Sequence, residues 1–164
     1  MEITKPIEGF PNYVVSNYGR VFNIATDREL TLSHTTKDGG DLSVGMFRDN
    51  RQHRYSVKCL VARAFVEGET ELFNTPVLLD GDRFNLRADN IVWRPRWFAC
   101  TYVRQFSRLS TWINFGPIVD VTTGTKYDTI YDAATTNGLL LVDVMDSVFN
   151  EKIVFPTRQR FIYL

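Results

Sequence analysis

Residues Thr75 to Trp93 read TPVLLDGDRFNLRADNIVW, and the rest of the chain is organised around them. Val77–Leu79 is a short apolar strand that runs into Asp80-Gly81-Asp82. An Asp-Gly pair signals a tight turn, because glycine takes positive φ at no steric cost and Asp bonds its own backbone. A polar loop follows, and Asn90–Trp93 is a second short strand. The next stretch, PRWFACTYVRQFSRLS (95–110), opens on a proline, which suits the first turn of a helix. Trp97, Phe98, Tyr102, Val103 and Phe106 give that helix an aromatic side, and Arg96, Arg104 and Arg108 give it a basic one. Together these segments predict a ββα unit. With Arg94, the three arginines are the densest basic group in the chain; a phosphate-facing role and a solvated helix face both fit them.

Upstream, SVKCLVARAFVEG (56–68) places Leu60, Val61, Ala64 and Phe65 at helical spacing, with Gly68 as a stop. Before it, Tyr13–Val15, Arg20–Phe22, Glu29–Leu32, Leu42–Phe47 and His53–Val57 read as short strands of an antiparallel meander. Downstream, Gly116-Pro117 breaks the chain. Ile118–Val121 is a strand, and Thr129 to Asp132 makes a capping-box start. Asp132–Asn137 is a helix closed by Gly138, Leu141–Asn150 a second helix and Arg160–Tyr163 a closing strand. The expected modules are residues 1–56, 57–112 and 113–164, and the expected class is α+β.

Composition narrows the function classes. An apolar fraction of 44% supports a core rather than a disordered chain, and the high aromatic share, 13%, suits several small modules each pinned by a few rings. Basic and acidic residues balance within each of three segments: seven of each in 1–56, six of each in 57–99 and six of each in 100–164. That balance lowers the expectation of tight phosphate-driven DNA binding. Cys59 and Cys100 lack partners at zinc-ligand spacing, so no metal and no cofactor is expected. MEITKPIEGF lacks a signal-peptide pattern, and no apolar run approaches the roughly 20 residues a membrane span needs, so no membrane partner is expected.

The segment PIEGFPNYVVSNYGRVFN (6–23) resembles the N-terminal motif of phage HNH homing endonucleases. VKCLVARAF resembles that family's helix before the nuclease core, with the family's histidine falling on Lys58 and its arginine on Cys59. In the hairpin, Asp80-Gly81, Asn85 and Asn90 to Trp93 match framework positions: turn, loop-locking amides and core tryptophan. VDVTTGTKY, TIYDAATTNG and RFIYL resemble the family's C-terminal repeat, whose second helix reads a DNA groove. The resemblance implies an N-terminal sheet, an HNH ββα core and a helix-turn-helix-like C-terminal module.

It also implies where the chemistry should stand. The family's metal-ligand position falls on Val77, its general-base histidine on Leu78 and a third ligand on or near Ala99. Hydrolysis of a phosphodiester needs a hard cation on oxygen ligands and a base to activate water, and these side chains offer no lone pair. The groove-reading helix, here LLVDVMDSVFNEK, carries Asp143, Asp146 and Glu151 against Lys152 alone. The expectation drawn from both features is a catalytically inactive protein, not an enzyme, reused as a phage structural or protein-interaction component in the virion or the host cytoplasm. Its partner would be a virion protein or host machinery. The alternatives are a non-catalytic duplex-DNA-binding regulator, docking weakly through Arg20, Arg94, Arg96, Arg104, Arg108, Lys126, Arg158 and Arg160, and a residual HNH endonuclease with carboxylates such as Asp80, Asp82 or Asp89 as ligands.

Overall fold

A computed structural model of the protein describes residues 1–35, 40–107 and 115–164. Arg108 and the expected module boundary between 112 and 113 lie outside the described residues. By contact the chain divides into two compact units. The first holds residues 1–78 and 82–96, the second 79–81 and 97–164. The class is α+β, with small antiparallel sheets and four α-helices among the described residues.

In the first unit, β1 (Thr4–Ile7), β2 (Phe10–Ser16), β3 (Val21–Asn23) and β4 (Arg28–Glu29) form a four-stranded sheet in sequential order. β5 (Ser33–His34), β6 (Leu42–Arg48) and β7 (Arg51–Ser56) form a second meander. Of the strand expected over Glu29–Leu32, only Glu29 lies in a strand, at the end of β4; Leu30 to Leu32 connect it to β5 in the other sheet. Alternation shows which residues face inward, but not which neighbour each strand pairs with. Helix α1 (Val57–Phe65) packs against both sheets. Val57, which the sequence places in a strand, is its first residue, and the helix ends at Phe65 rather than at Gly68. Its buried face, Val57, Leu60 and Val61, meets Val15, Val21, Val44 and Met46 in one core. Each such side chain contributes roughly 1.5–3 kcal/mol on burial.

β8 (Thr75–Leu78) and β9 (Ile91–Arg94) close the first unit as a two-stranded hairpin, with a 3-10 turn at Ala88–Asn90 leading into β9. The sequence places this strand pair correctly but sets each strand a residue or more off.

The second unit contains α2 (Arg96–Gln105, from Trp97 onward), β10 (Ile118–Asp120), β11 (Lys126–Tyr127), α3 (Ile130–Asn137), α4 (Leu141–Asn150) and β12 (Phe161–Tyr163). β10 is the central strand, between β11 and β12. Thr129 caps α3: its hydroxyl accepts from the Asp132 amide at 3.0 Å and donates to the Asp132 carboxylate at 2.7 Å. Gly138 ends α3 in the left-handed conformation at φ +60. Ile118, Ile130, Leu139, Val144 and Phe161 form this unit's core. Among the described residues no helix is long and apolar enough to cross a membrane.

Candidate functional site

The hairpin keeps the framework the sequence points to. Across its two strands Val77 faces Val92 and Leu78 faces Ile91. The Trp93 indole N–H donates to the Val66 carbonyl at 3.0 Å, fixing the chain just past α1. The buried Asn90 amide donates to the Asn85 carbonyl at 2.9 Å and holds the polar loop. In the second unit, Gly81 has φ +73, and a Cβ there would lie 2.5 Å from the Phe106 ring. Two constraints thus demand glycine at this turn. The Tyr102 hydroxyl donates to the Leu79 carbonyl at 2.7 Å.

The positions assigned to chemistry are apolar and enclosed. Val77 is 1% exposed, Leu78 8% and Ala99 5%. Leu78 belongs to the first unit's core. HNH proteins are expected to use a divalent metal, and these three side chains do not fit one: they carry no donor atom. Lys58, at the family's histidine position, is largely buried and paired with Asp41 at 2.7 Å. No group of three or more His, Cys, Asp or Glu placed to hold a metal occurs among the described residues.

The basic residues the sequence points to differ in exposure. Arg94 lies on β9 rather than on the helix. It is 6% exposed, and its guanidinium donates to the Trp93 carbonyl at 2.9 Å. A buried arginine committed to backbone cannot stand on an outer, phosphate-facing surface, so Arg94 is removed from the basic face. Arg96 is exposed and belongs to the first unit, whereas Arg104, also exposed, belongs to the second. Arg20 is exposed and bonded to Glu2, with Glu29 at 3.6 Å. Lys126 and Arg158 are exposed in the second unit, and Arg160 lies 3.8 Å from Glu151.

The sequence reading missed a polar cluster inside the second unit. Asp120 is fully buried. It accepts from the Thr122 amide at 2.9 Å, the Thr123 hydroxyl at 2.7 Å and the Gln159 amide at 2.8 Å. Burial pushes its pKa up, but the donors from Gln159, Thr123 and Thr122 outweigh that and hold it below the ordinary carboxylate range. Ser147, also buried, accepts from the Phe161 amide at 2.9 Å and donates to the Lys152 carbonyl at 2.6 Å. Asp120 stood in the quoted VDVTTGTKY pattern; nothing in the sequence marked Gln159 as its partner. Gln105 was missed as well. Its side-chain carbonyl accepts from the Leu141 amide at 3.0 Å and so caps the start of α4.

Three comparisons bear on this geometry. The NUMOD4 motif matches residues 2–44. An HNH endonuclease of Acanthamoeba polyphaga mimivirus is 38% identical over 91 residues, 54% of this chain and 22% of the relative. The chain therefore spans about a fifth of that relative's length. A solved structure describing DNA binding and cleavage by the HNH homing endonuclease I-HmuI matches 99% of this chain and 98% of its own, with a TM-score of 0.55 at 24% identity. Fold and motif together define an HNH homing-endonuclease-like architecture. The N-terminal segment carries the NUMOD4 motif, and the fold of the chain is similar to that of an HNH homing endonuclease.

The expectation that the chain is not an enzyme is overturned here. The relative and the structural neighbour are HNH endonucleases, which are enzymes. Val77, Leu78 and Ala99 show what three positions do not hold; they do not show that the chain has lost its catalytic residues.

Proposed function

We propose that this chain acts on duplex DNA as an HNH homing-endonuclease-like protein, docking the duplex and cutting a strand. The observation that supports this most is the likeness of fold along 99% of the chain to a homing endonuclease that binds and cleaves DNA. Zero net charge does not oppose it, because phosphate contact depends on local rather than total charge. Arg20, Arg96, Arg104, Lys126 and Arg158 are exposed side chains that can serve it. The chemistry is assigned to side chains other than Val77, Leu78 and Ala99. The test is incubation of the purified chain with supercoiled plasmid in magnesium or manganese. Nicked or linear product is expected; intact plasmid at protein excess overturns the cleavage part of the reading.

A second reading, contact with another protein in a phage virion or an infected host cell, is favoured by one observation. The outward side of α4 carries exposed Val142 and Phe149 but no Lys or Arg.

A further inference from the structure

Two stretches of the chain lack acidic residues. No Asp or Glu stands between Asp89 and Asp120, a stretch that holds α2, and none stands from Lys152 to Leu164. In the second unit the two stretches meet at a set of aromatic rings. Phe98 is fully buried, and the Trp97 and Phe155 rings rest on it at 5.8 and 5.9 Å. Those two also lie against each other, with centroids 5.3 Å apart and planes 31° from parallel. Phe98 in turn stacks on Tyr102 at 6.2 Å, and the Tyr102 hydroxyl donates to the Leu79 carbonyl. Yet Trp97 is 60% exposed and Phe155 41%. Scattered exposed apolar side chains are ordinary, but these two rings are held in place from within. A ring already fixed loses little conformational entropy when a ligand covers it.

The charges beside the rings are cations. Thr101 and Arg104 follow Trp97 at i+4 and i+7, on its side of α2, which sets Arg104 about 10 Å along the helix axis from Trp97. Arg158 belongs to the turn that carries Phe155, and its amide donates to the Val154 carbonyl at 2.8 Å. Both arginines are exposed, and neither has an ion-pair partner among the described residues. Glu151, the acid nearest that turn in the chain, faces Arg160 at 3.8 Å. Exposed rings flanked by uncommitted guanidinium groups suit a nucleotide, in which ring meets base and cation meets phosphate. A base within a duplex hides its faces in the stack, so only an unpaired base can lie on the rings.

We propose that Trp97 and Phe155 form a stacking platform for an unpaired base of a DNA strand, with Arg104 and Arg158 taking nearby phosphates. That the strand is DNA rests on the reading of this chain as a protein that acts on DNA; the platform rests on the rings and charges alone.

Two fluorescein-labelled single strands about 12 nucleotides long serve as probes, one of thymidines and one of abasic sites with the same number of phosphates. Binding to the full chain is measured by anisotropy at low salt and near physiological salt. The thymidine strand is expected to bind about tenfold more tightly than the abasic strand. Trp97→Ala is expected to weaken the thymidine strand about tenfold and leave the abasic strand unchanged, whereas Trp97→Phe keeps most of the affinity. The double variant Arg104→Gln, Arg158→Gln is expected to weaken both strands and flatten their dependence on salt. Should Trp97→Ala melt early, the two strands on the unaltered chain and the arginine variant, whose substituted side chains are exposed, carry the test. Equal binding of the two strands, indifference of the thymidine strand to Trp97→Ala, or no binding of either strand at low salt overturns the proposal. So does self-association abolished by Trp97→Ala, which assigns the rings to a second copy. Nicking of plasmid by a chain that ignores the thymidine strand would sink the platform and keep the nuclease reading. Binding of the thymidine strand by a chain that leaves plasmid intact would do the reverse.

Discussion

The hairpin Thr75–Arg94 and the C-terminal module 115–164 treat their motif residues in opposite ways. In the hairpin, the two residues at chemical positions, Val77 and Leu78, are apolar and enclosed, and polar groups remain where they hold the loop, as Asn90 does for Asn85. In the C-terminal module, the polar motif residue Asp120 stays in the interior with three donors on its carboxylate, and Ser147 bridges two backbone groups. A buried polar side chain persists where backbone or side-chain donors would otherwise go unmet. Where no donor depends on it, the position can turn apolar and stabilise the protein by burial. What a motif position holds therefore reports first on packing and only second on chemistry.

The largest expected effect tests the hairpin side of that contrast. Trp93→Ala removes a ring that is 3% exposed and leaves the Val66 carbonyl without its indole donor, so a loss of about 4 kcal/mol is expected in urea unfolding. A loss under about 1 kcal/mol would mean that the tryptophan is not the anchor of this framework.

Next comes Val77→Asp, which returns a carboxylate to the position the family resemblance assigns to a metal ligand. At 1% exposure an unpaired carboxylate should cost about 3 kcal/mol near neutral pH. If the variant instead melts like the wild type and binds magnesium in calorimetry, a ligand-ready cavity surrounds position 77 and the packing argument fails there.

The C-terminal side is tested by Asp120→Asn, expected to cost about 2 kcal/mol at neutral pH because the new amide turns a donor toward existing donors. The direction with pH is fixed by linkage. The folded pKa of Asp120 lies below its unfolded value, so its stabilisation is present above the unfolded pKa, about 4, and is lost as pH falls through the folded pKa. Thermal melts between about pH 2 and 6 should therefore show a steeper acid loss in wild type than in the variant. Parallel curves would remove Asp120 as the polar anchor of the module.

The smallest effect belongs to an ion pair between a largely buried lysine and an exposed aspartate. Lys58→Met breaks a single pair with Asp41 and should change stability by less than about 1 kcal/mol.

Much of the fold was legible because its signals are local. The Asp80-Gly81 turn, the spacing of Leu60 and Val61, the Thr129 cap and the Gly138 stop each act within a few residues. What the sequence could not show depends on partners distant in the chain. The pairing of Gln159 with Asp120, the capping of Leu141 by Gln105 and the burial of Arg94 arise only after folding. The same limit governed the candidate site. Three apolar residues at motif positions were readable, but the step from them to an inactive protein was not a physical inference, and the relatives reverse it.

The measurement that tests the central claim most directly is duplex DNA binding by the whole chain, titrated at low salt and again near physiological salt. Saturable binding at micromolar concentration or tighter, weakening steeply between the two conditions, is the predicted result, because phosphate contacts release counterions. No binding even at low salt would contradict action on DNA and leave the family's fold in service of another partner.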